Sequence, residues 1–209
     1  TSGWYPVYQQ VPKPTEGDRF KRAWFEDNLV SIAPAKCRRI RYWDKAGSES
    51  EAAKFTAGVL LAIDDATKKV YVEDVVRGKW TAGKREQIIK ETAEADSERY
   101  GRVVIWIEQE PGSGGLESAD NTVKNLVGFV VKKDRPTGDK DTRLEPFAAY
   151  IENGGVRMVR GAWNTAYVDE FAAIPNGAYR DQADATAGAF NQLTARGEMS
   201  KPIVIQTRG

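Results

Sequence analysis

The sequence predicts an α/β domain built on a mixed sheet flanked by helices. Three observations predict it. Strand-like segments come first, three in a row, separated by polar turns. Helical and strand-like segments then alternate, the order that builds a mixed sheet. Among them lies a continuous apolar run, Val103-Val104-Ile105-Trp106-Ile107, behind a long helical segment. A run of that kind is a buried strand, and a crossover through a helix leads to parallel pairing.

Taken in order, residues 1–36 read as a connecting arm. Tyr8-Gln9-Gln10-Val11-Pro12-Lys13-Pro14 is too rich in proline for a helix or a central strand. Phe20, Trp24 and Phe25 are anchors that pack either on the following domain or on one upstream. Residues 37–43 form the first strand and run into Asp44; Lys45-Ala46-Gly47-Ser48-Glu49-Ser50 is a turn. Residues 55–63 and 70–76 form the next two strands, joined by Asp64-Asp65-Ala66-Thr67-Lys68-Lys69, so the three make a meander. Thr81 caps a helix carrying Ile88, Ile89 and Ala93 inward and ending near Tyr100-Gly101.

Beyond the buried strand, a loop at Pro111-Gly112-Ser113-Gly114-Gly115 leads into a helix over 118–126, a short strand at 129–131 and a helix over 142–152. Asn153-Gly154-Gly155 stops that helix, a strand follows at 156–159, and helices cover 166–173 and 181–195. The domain spans 37–196, and residues 197–209 read as a tail.

Composition narrows the chemistry. The 209 residues contain no histidine, which removes histidine-based acid–base catalysis and histidine-ligated metals. The one cysteine, Cys37, leaves no intrachain disulfide and suits a reducing compartment. Lysine and arginine (31) almost balance aspartate and glutamate (30), so a uniformly basic coat for nucleic acid is not expected. No apolar run approaches the ~18–20 residues of a membrane span. For a hydrolase of this composition, carboxylates and an oxygen-loving metal are the natural equipment.

Several carboxylates stand at element boundaries. Asp44 ends the first strand, Glu108 ends the long apolar one with Glu110 two residues on, and Asp181 opens the last helix with Asp184 one turn later. Asp181 and Asp184, at i and i+3, share a face with Ala185 and Gly188. The alanines and glycine of that helix keep it thin, for close approach to the sheet. Brought to one sheet edge, such acids hold one or two Mg²⁺ or Mn²⁺ ions, which activate water and stabilise the leaving oxygen of a phosphodiester. Taken singly, each is equally a helix cap or a solvated turn residue. The reading requires the three to meet in one pocket, with no lysine or packed apolar group plugging it.

The residues also carry a resemblance. Arg41-Tyr42-Trp43-Asp44-Lys45-Ala46 with Phe55-Thr56-Ala57-Gly58-Val59 resembles the opening strands of the nuclease domain of tailed-bacteriophage terminase large subunits. Val104-Ile105-Trp106-Ile107-Glu108-Gln109-Glu110 is similar to that family's second acidic strand, and Tyr179-Arg180-Asp181-Gln182-Ala183-Asp184-Ala185 to its closing Asp-Asp-Gln-Val-Asp-Ala motif, with Arg180 where the family has the first Asp. The resemblance runs over roughly residues 36–195. It implies an RNase H-like fold and a metal-dependent endonuclease that cuts concatemeric double-stranded viral DNA during packaging, in the host cytoplasm. It also implies Asp44, Glu108 and Asp181 as the metal-binding acids, shared with Glu110 and Asp184, and a portal protein and small terminase subunit as partners. The family's ATPase motor would lie ahead of residue 37; the chain has no Gly-x-x-x-x-Gly-Lys-Ser/Thr, so ATP is not expected to bind it.

Lys132, Lys133, Arg135, Lys140 and Arg143 crowd one stretch between a strand and a helix. Such a basic loop beside an acidic metal site holds the phosphate backbone, or is simply a solvated loop. Trp43 and Trp106 read as core, and nothing offers base-specific readout. Two alternatives stand beside the terminase reading: another RNase H-like enzyme, such as a junction resolvase or transposase core, and a non-catalytic docking module of the packaging motor.

Overall fold

The computed structural model describes residues 17, 19–45 and 55–195. In it a seven-stranded sheet has helices on both faces. The elements in chain order are α1 (Arg22–Glu26), β1 (Leu29–Val30), β2 (Arg38–Asp44), β3 (Thr56–Ile63), β4 (Val70–Gly78), α2 (Ala82–Tyr100), β5 (Val103–Glu108), α3 (Ser113–Asn125), β6 (Val130–Asp134), α4 (Lys140–Glu152), β7 (Val156–Val159), α5 (Asn164–Ala172) and α6 (Asp181–Thr194). The sheet order is β1-β7-β4-β3-β2-β5-β6.

The expected meander is present: β2 and β3 pair antiparallel, as do β3 and β4. β5 pairs parallel with β2, as its apolar run and preceding helix predict, and β6 extends it in parallel. β7 lies parallel to β4 and β1 parallel to β7. Only β3 runs against the rest, so β2, β4, β5 and β6 all end at one edge. Asp44, Glu108 and Asp134 are the last residues of three of these strands. The carboxyl edge of parallel strands is where α/β sheets bind ligands.

Each face has its own core. One buries Tyr42, Val59, Leu61, Phe147, Phe171 and the alanines of α6 under α4, α5 and α6. The other packs Trp43, Ile105 and Ile107 against Ile89 of α2 and Ala119 of α3. α6 comes close to the sheet because it is thin: a Cβ at Gly188 would lie 2.2 Å from the Tyr42 ring. On the opposite face, Arg41 is buried and donates both to Asp96 on α2 (2.8 Å) and to Asp74 on β4 (2.9 Å), tying α2 to the sheet. Arg39 is likewise buried against Glu73 (2.6 Å), whereas Arg38 pairs with Asp65 on the surface.

The arm expected over residues 1–36 differs where it can be followed. Residues 1–16 and 18 lie outside the described residues, as do the 46–50 turn and the 197–209 tail. From Arg19 the chain joins the fold. Phe20 and Phe25 are buried, with Phe20 edge-on to Phe171 at 4.9 Å, and β1 adds an edge strand. The aromatic anchors pack on the domain that follows them, so the packed unit starts before residue 37. Among the described residues no helix is long and apolar enough to cross a membrane.

Candidate active site

Asp44 and Glu108 come together through backbone pairing. Trp43 is in register with Ile107, so the next residues, Asp44 and Glu108, sit side by side on strands about 4.8 Å apart. Asp134 is in register with Glu108 on the far side, extending the acidic row to β6. The row shares the face of Tyr42, whose phenol lies 3.0 Å from Glu108 Oε2 and 2.8 Å from Asp134 Oδ2. A phenol has one proton and serves one carboxylate at a time, so the row holds more acceptors than donors. Burial first, then the charges of Glu108 and Asp134, push the Tyr42 phenol strongly upward, so it remains a donor.

α6 brings the remaining acids across the row. Asp184 is buried, and its charge and that of Glu108 act on Asp44 more strongly than that of Asp181. The Asp44 carboxyl is driven well above the usual carboxylate range, by burial first and then by Glu108 and Asp184. Asp181 is paired with Arg77 at 3.0 Å. Arg77 also reaches Glu170 (3.3 Å), a buried carboxylate that accepts from the backbone N–H groups of Gln182 (2.7 Å) and Ala183 (3.0 Å). Glu170 thus caps the N-terminus of α6 from a neighbouring helix and fixes which way its two acids face. A cleft of about 300 Å³ holds Asp44, Asp181, Asp184, Glu110 and Lys140 together in its lining.

Cations offset this charge. Asp139 caps α4 by accepting from Thr142 N–H (2.8 Å), which places Lys140 and Arg143 at i and i+3 in its first turns. Lys140 Nζ pairs with Asp184 Oδ2, and Arg143 donates to Glu108 Oε2 at 3.1 Å. Burial alone would lower the Lys140 ammonium; contact with Asp184 and the charges of Asp44 and Glu108 outweigh it and raise it. A lysine therefore does reach the acids. Its side chain is 60% exposed, so it is a surface arm laid over the cleft rather than a buried plug. On the other face of β2, buried Lys45 donates to Ser118 and Thr122 (2.8 Å each), and burial pushes its pKa down to about 8.

The basic stretch is not the single loop that the sequence predicts. Lys132 and Lys133 belong to β6, with Lys132 over the Trp106 ring at 5.2 Å and Lys133 paired to Asp120 at 2.6 Å. Arg135 is exposed just beyond the strand, and Lys140 and Arg143 start α4 and turn inward onto carboxylates. Sequence reasoning missed Asp134, Tyr42, Arg77 and Glu170. Asp134 carries the signal that marks Asp44 and Glu108, an acid at a strand end, but the apolar pattern stops at Val131 while the strand continues to Asp134.

No group of three acids or other ligating side chains among the described residues is drawn together around a metal position. The donor chemistry nevertheless suits a hard divalent cation. The carboxylates are oxygen donors, Asp44 is held among like charges, and the Lys140 ammonium already stands as a positive charge among Asp44, Glu108 and Asp184.

A mixed sheet with acids at the carboxyl ends of its central strands, crossed by a thin acidic helix, defines an RNase H-like domain. A family model, the Terminase RNaseH-like domain, matches residues 41–193, and the chain belongs to that family. Solved structures agree on the fold. The P22 large terminase nuclease domain superposes with a TM-score of 0.58 at 14% identity, over 88% of this chain and 91% of that one. The large terminase nuclease of thermophilic phage G20c with bound magnesium gives 0.55 at 15% identity, over 78% and 85%. The manganese-soaked terminase nuclease domain of human cytomegalovirus gives 0.54 at 12%, over 81% and 91%. No curated protein sequence matches.

Proposed function

We propose that this chain is the nuclease domain of a large terminase subunit, an endonuclease that hydrolyses phosphodiester bonds of concatemeric double-stranded viral DNA during packaging. One observation carries the reading: parallel pairing of β2 with β5, crossed by α6, gathers Asp44, Glu108 and Asp184 at one sheet edge in a chain of the terminase family. In this reading Asp184 is the third metal-binding acid, because it is buried and its charge bears on Asp44 more strongly than that of Asp181. Asp44, Glu108 and Asp184 would hold Mg²⁺ or Mn²⁺, as one ion or a pair, which when bound would supply Lewis acidity toward the phosphodiester and ease deprotonation of the attacking water.

The protein's own groups do the rest. Tyr42 and Arg143 both hold Oε2 of Glu108 (3.0 and 3.1 Å), which orients that carboxylate and would leave metal binding to its other oxygen. Lys140, released from Asp184, is placed to meet a phosphate oxygen. Lys132 and Arg135 at the open end of the row would hold the backbone beyond the scissile bond. The portal protein and small terminase subunit are the partners this reading implies in the packaging assembly, which works in the host cytoplasm.

The test is plasmid cleavage in Mn²⁺ and Mg²⁺, with chelator as control. Wild-type chain should nick and linearise, whereas Asp44→Asn with an unchanged circular dichroism spectrum should lose cleavage by at least a hundredfold. Asp181→Asn should lose less than Asp184→Asn. Cutting at the wild-type rate by Asp44→Asn would remove the proposal.

A further inference from the structure

The acidic cleft is not the only concave space near the sheet edge. A separate recess of about 530 Å³ lies beside it, between α5 and the loop leading into α6. Its walls are Ala166, Ala173 and Ala178, with the Tyr179 ring, the Arg77 guanidinium and the Asn176 side chain as the functional groups. Tyr179 and Ala178 also line the acidic cleft, so the two spaces lie on either side of one short segment.

The wall chemistry selects a class of ligand. Tyr179 is 48% exposed, so a large aromatic face is left in solvent. Arg77 stands over the Phe55 ring (3.5 Å from Cζ to the centroid) and is held by Asp181 (3.0 Å), which places a guanidinium charge at the recess. Phe55 in turn stands edge-on to Tyr179 at 5.0 Å, and Lys79 adds a second positive charge over the Phe55 ring at 4.6 Å. The two carboxylates of the recess are both engaged: Asp169 by Arg22 (2.7 Å), and Glu170 by Arg77 and Gln182. A concave, largely apolar space with an aromatic face, a guanidinium plane and one amide fits a flat heterocycle attached to an anionic backbone. The volume falls within the ~300–1,000 Å³ of small-molecule sites.

We propose that this recess seats an unpaired nucleobase of the strand whose phosphate lies at the acids. The inference rests on the nuclease reading, which brings a DNA strand to the neighbouring cleft. A base inside a duplex is stacked on both faces and cannot enter a recess, so the occupant is a base at a frayed end, gap or overhang, or one flipped out of the stack. The site would thereby favour cleavage next to distorted or unpaired DNA, a preference that acts through stacking and not through sequence.

The experiment uses oligonucleotides carrying 2-aminopurine, either in a single-stranded overhang next to a duplex or inside a blunt duplex. Each is bound to the Asp44→Asn chain in Mg²⁺, so that the strand is held without being cut. The overhang probe should change its fluorescence on binding and the interior probe should not. In the Asp44→Asn background, Ala166→Trp, a substitution on an exposed helical position, fills the recess, and Tyr179→Ala removes the face. Each should abolish the overhang signal and weaken overhang binding by roughly tenfold, the scale of one lost base–aromatic stack. Tyr179→Phe, which keeps the ring, should retain the signal. Equal responses from the two probes, or an overhang signal that survives Ala166→Trp, would overturn the inference. So would a recess that takes a peptide segment instead, seen as overhang binding that neither substitution alters. Plasmid cleavage by the wild-type chain is scored separately, so the recess proposal can fail while the nuclease reading stands.

Discussion

Gly188→Ala is the substitution whose cost the structure defines most sharply. A methyl group there would lie 2.2 Å from the Tyr42 Cζ and within 2.6 Å of both Cε atoms, far inside any real carbon contact. The ring cannot give way cheaply. It is fully buried, and its hydroxyl is shared between Glu108 and Asp134. Alanine gains about 1 kcal/mol over glycine in a helix interior. Overpacking a filled core costs about 1–3 kcal/mol. Pulling the phenol from charged acceptors costs about 1.5–3 kcal/mol more. Together these leave a net loss of about 1.5–5 kcal/mol, which for a domain of this size lowers Tm by roughly 3–20 °C. Scanning calorimetry measures it, with Tyr42→Phe alongside to isolate the hydroxyl's share. A Gly188→Ala chain as stable as wild type would show that α6 does not press on Tyr42, and with it the account of how Asp184 reaches the acidic row would fail.

The remaining predictions concern charge. Without divalent ions, Asp44 binds its proton more tightly in the folded than in the unfolded chain, because its folded-state pKa is raised. Folding stability is therefore lost as pH rises through that raised range, so in chelator Asp44→Asn should melt above wild type at pH 7 and match it near pH 3; equal melting temperatures at both values would refute this. Lys140→Ala removes a competing cation and should tighten Mn²⁺ binding by up to about fivefold in titration calorimetry, the scale of one exposed ion pair. Weaker binding would mean that the lysine does not compete. Arg41→Met strands Asp96 and should cost about 3–5 kcal/mol in urea unfolding, and a loss below about 1 kcal/mol would show that the buried pair contributes little.

Asp44 and Glu108 were legible because each ends a segment of strand length, Asp44 just before a polar turn and Glu108 just after a continuous apolar run. Asp134 was not, although it does the same on β6. That strand is an edge strand, exposed enough to carry Lys132 and Lys133, and its pattern breaks before the acid. Sequence pattern places Lys140 and Arg143 at a loop because it starts the helix at Thr142. The capping oxygen of Asp139 begins it at Lys140 and swings both cations onto the acids. The Arg77, Glu170 and Asp181 grouping joins three elements far apart in sequence, and no local period encodes such a meeting. α1 and β1 are too short, at five and two residues, for periodicity to mark them.

The balance of charge at the sheet edge has a functional logic of its own. Carboxylates at the ends of parallel strands repel one another, and the fold tolerates them because Arg143, Lys140 and Arg77 each engage a different acid. Two of these cations sit in the first turns of α4, one turn apart, so a single helix both steadies the metal-free chain and carries positive charge to the edge of the cleft. When a divalent cation takes over the neutralising role, the exposed Lys140 is the group with the freedom to leave, and a phosphate is the nearest anion for it to find. In this reading the lysine laid over the acids is what makes their clustering compatible with a stable fold before metal and DNA arrive.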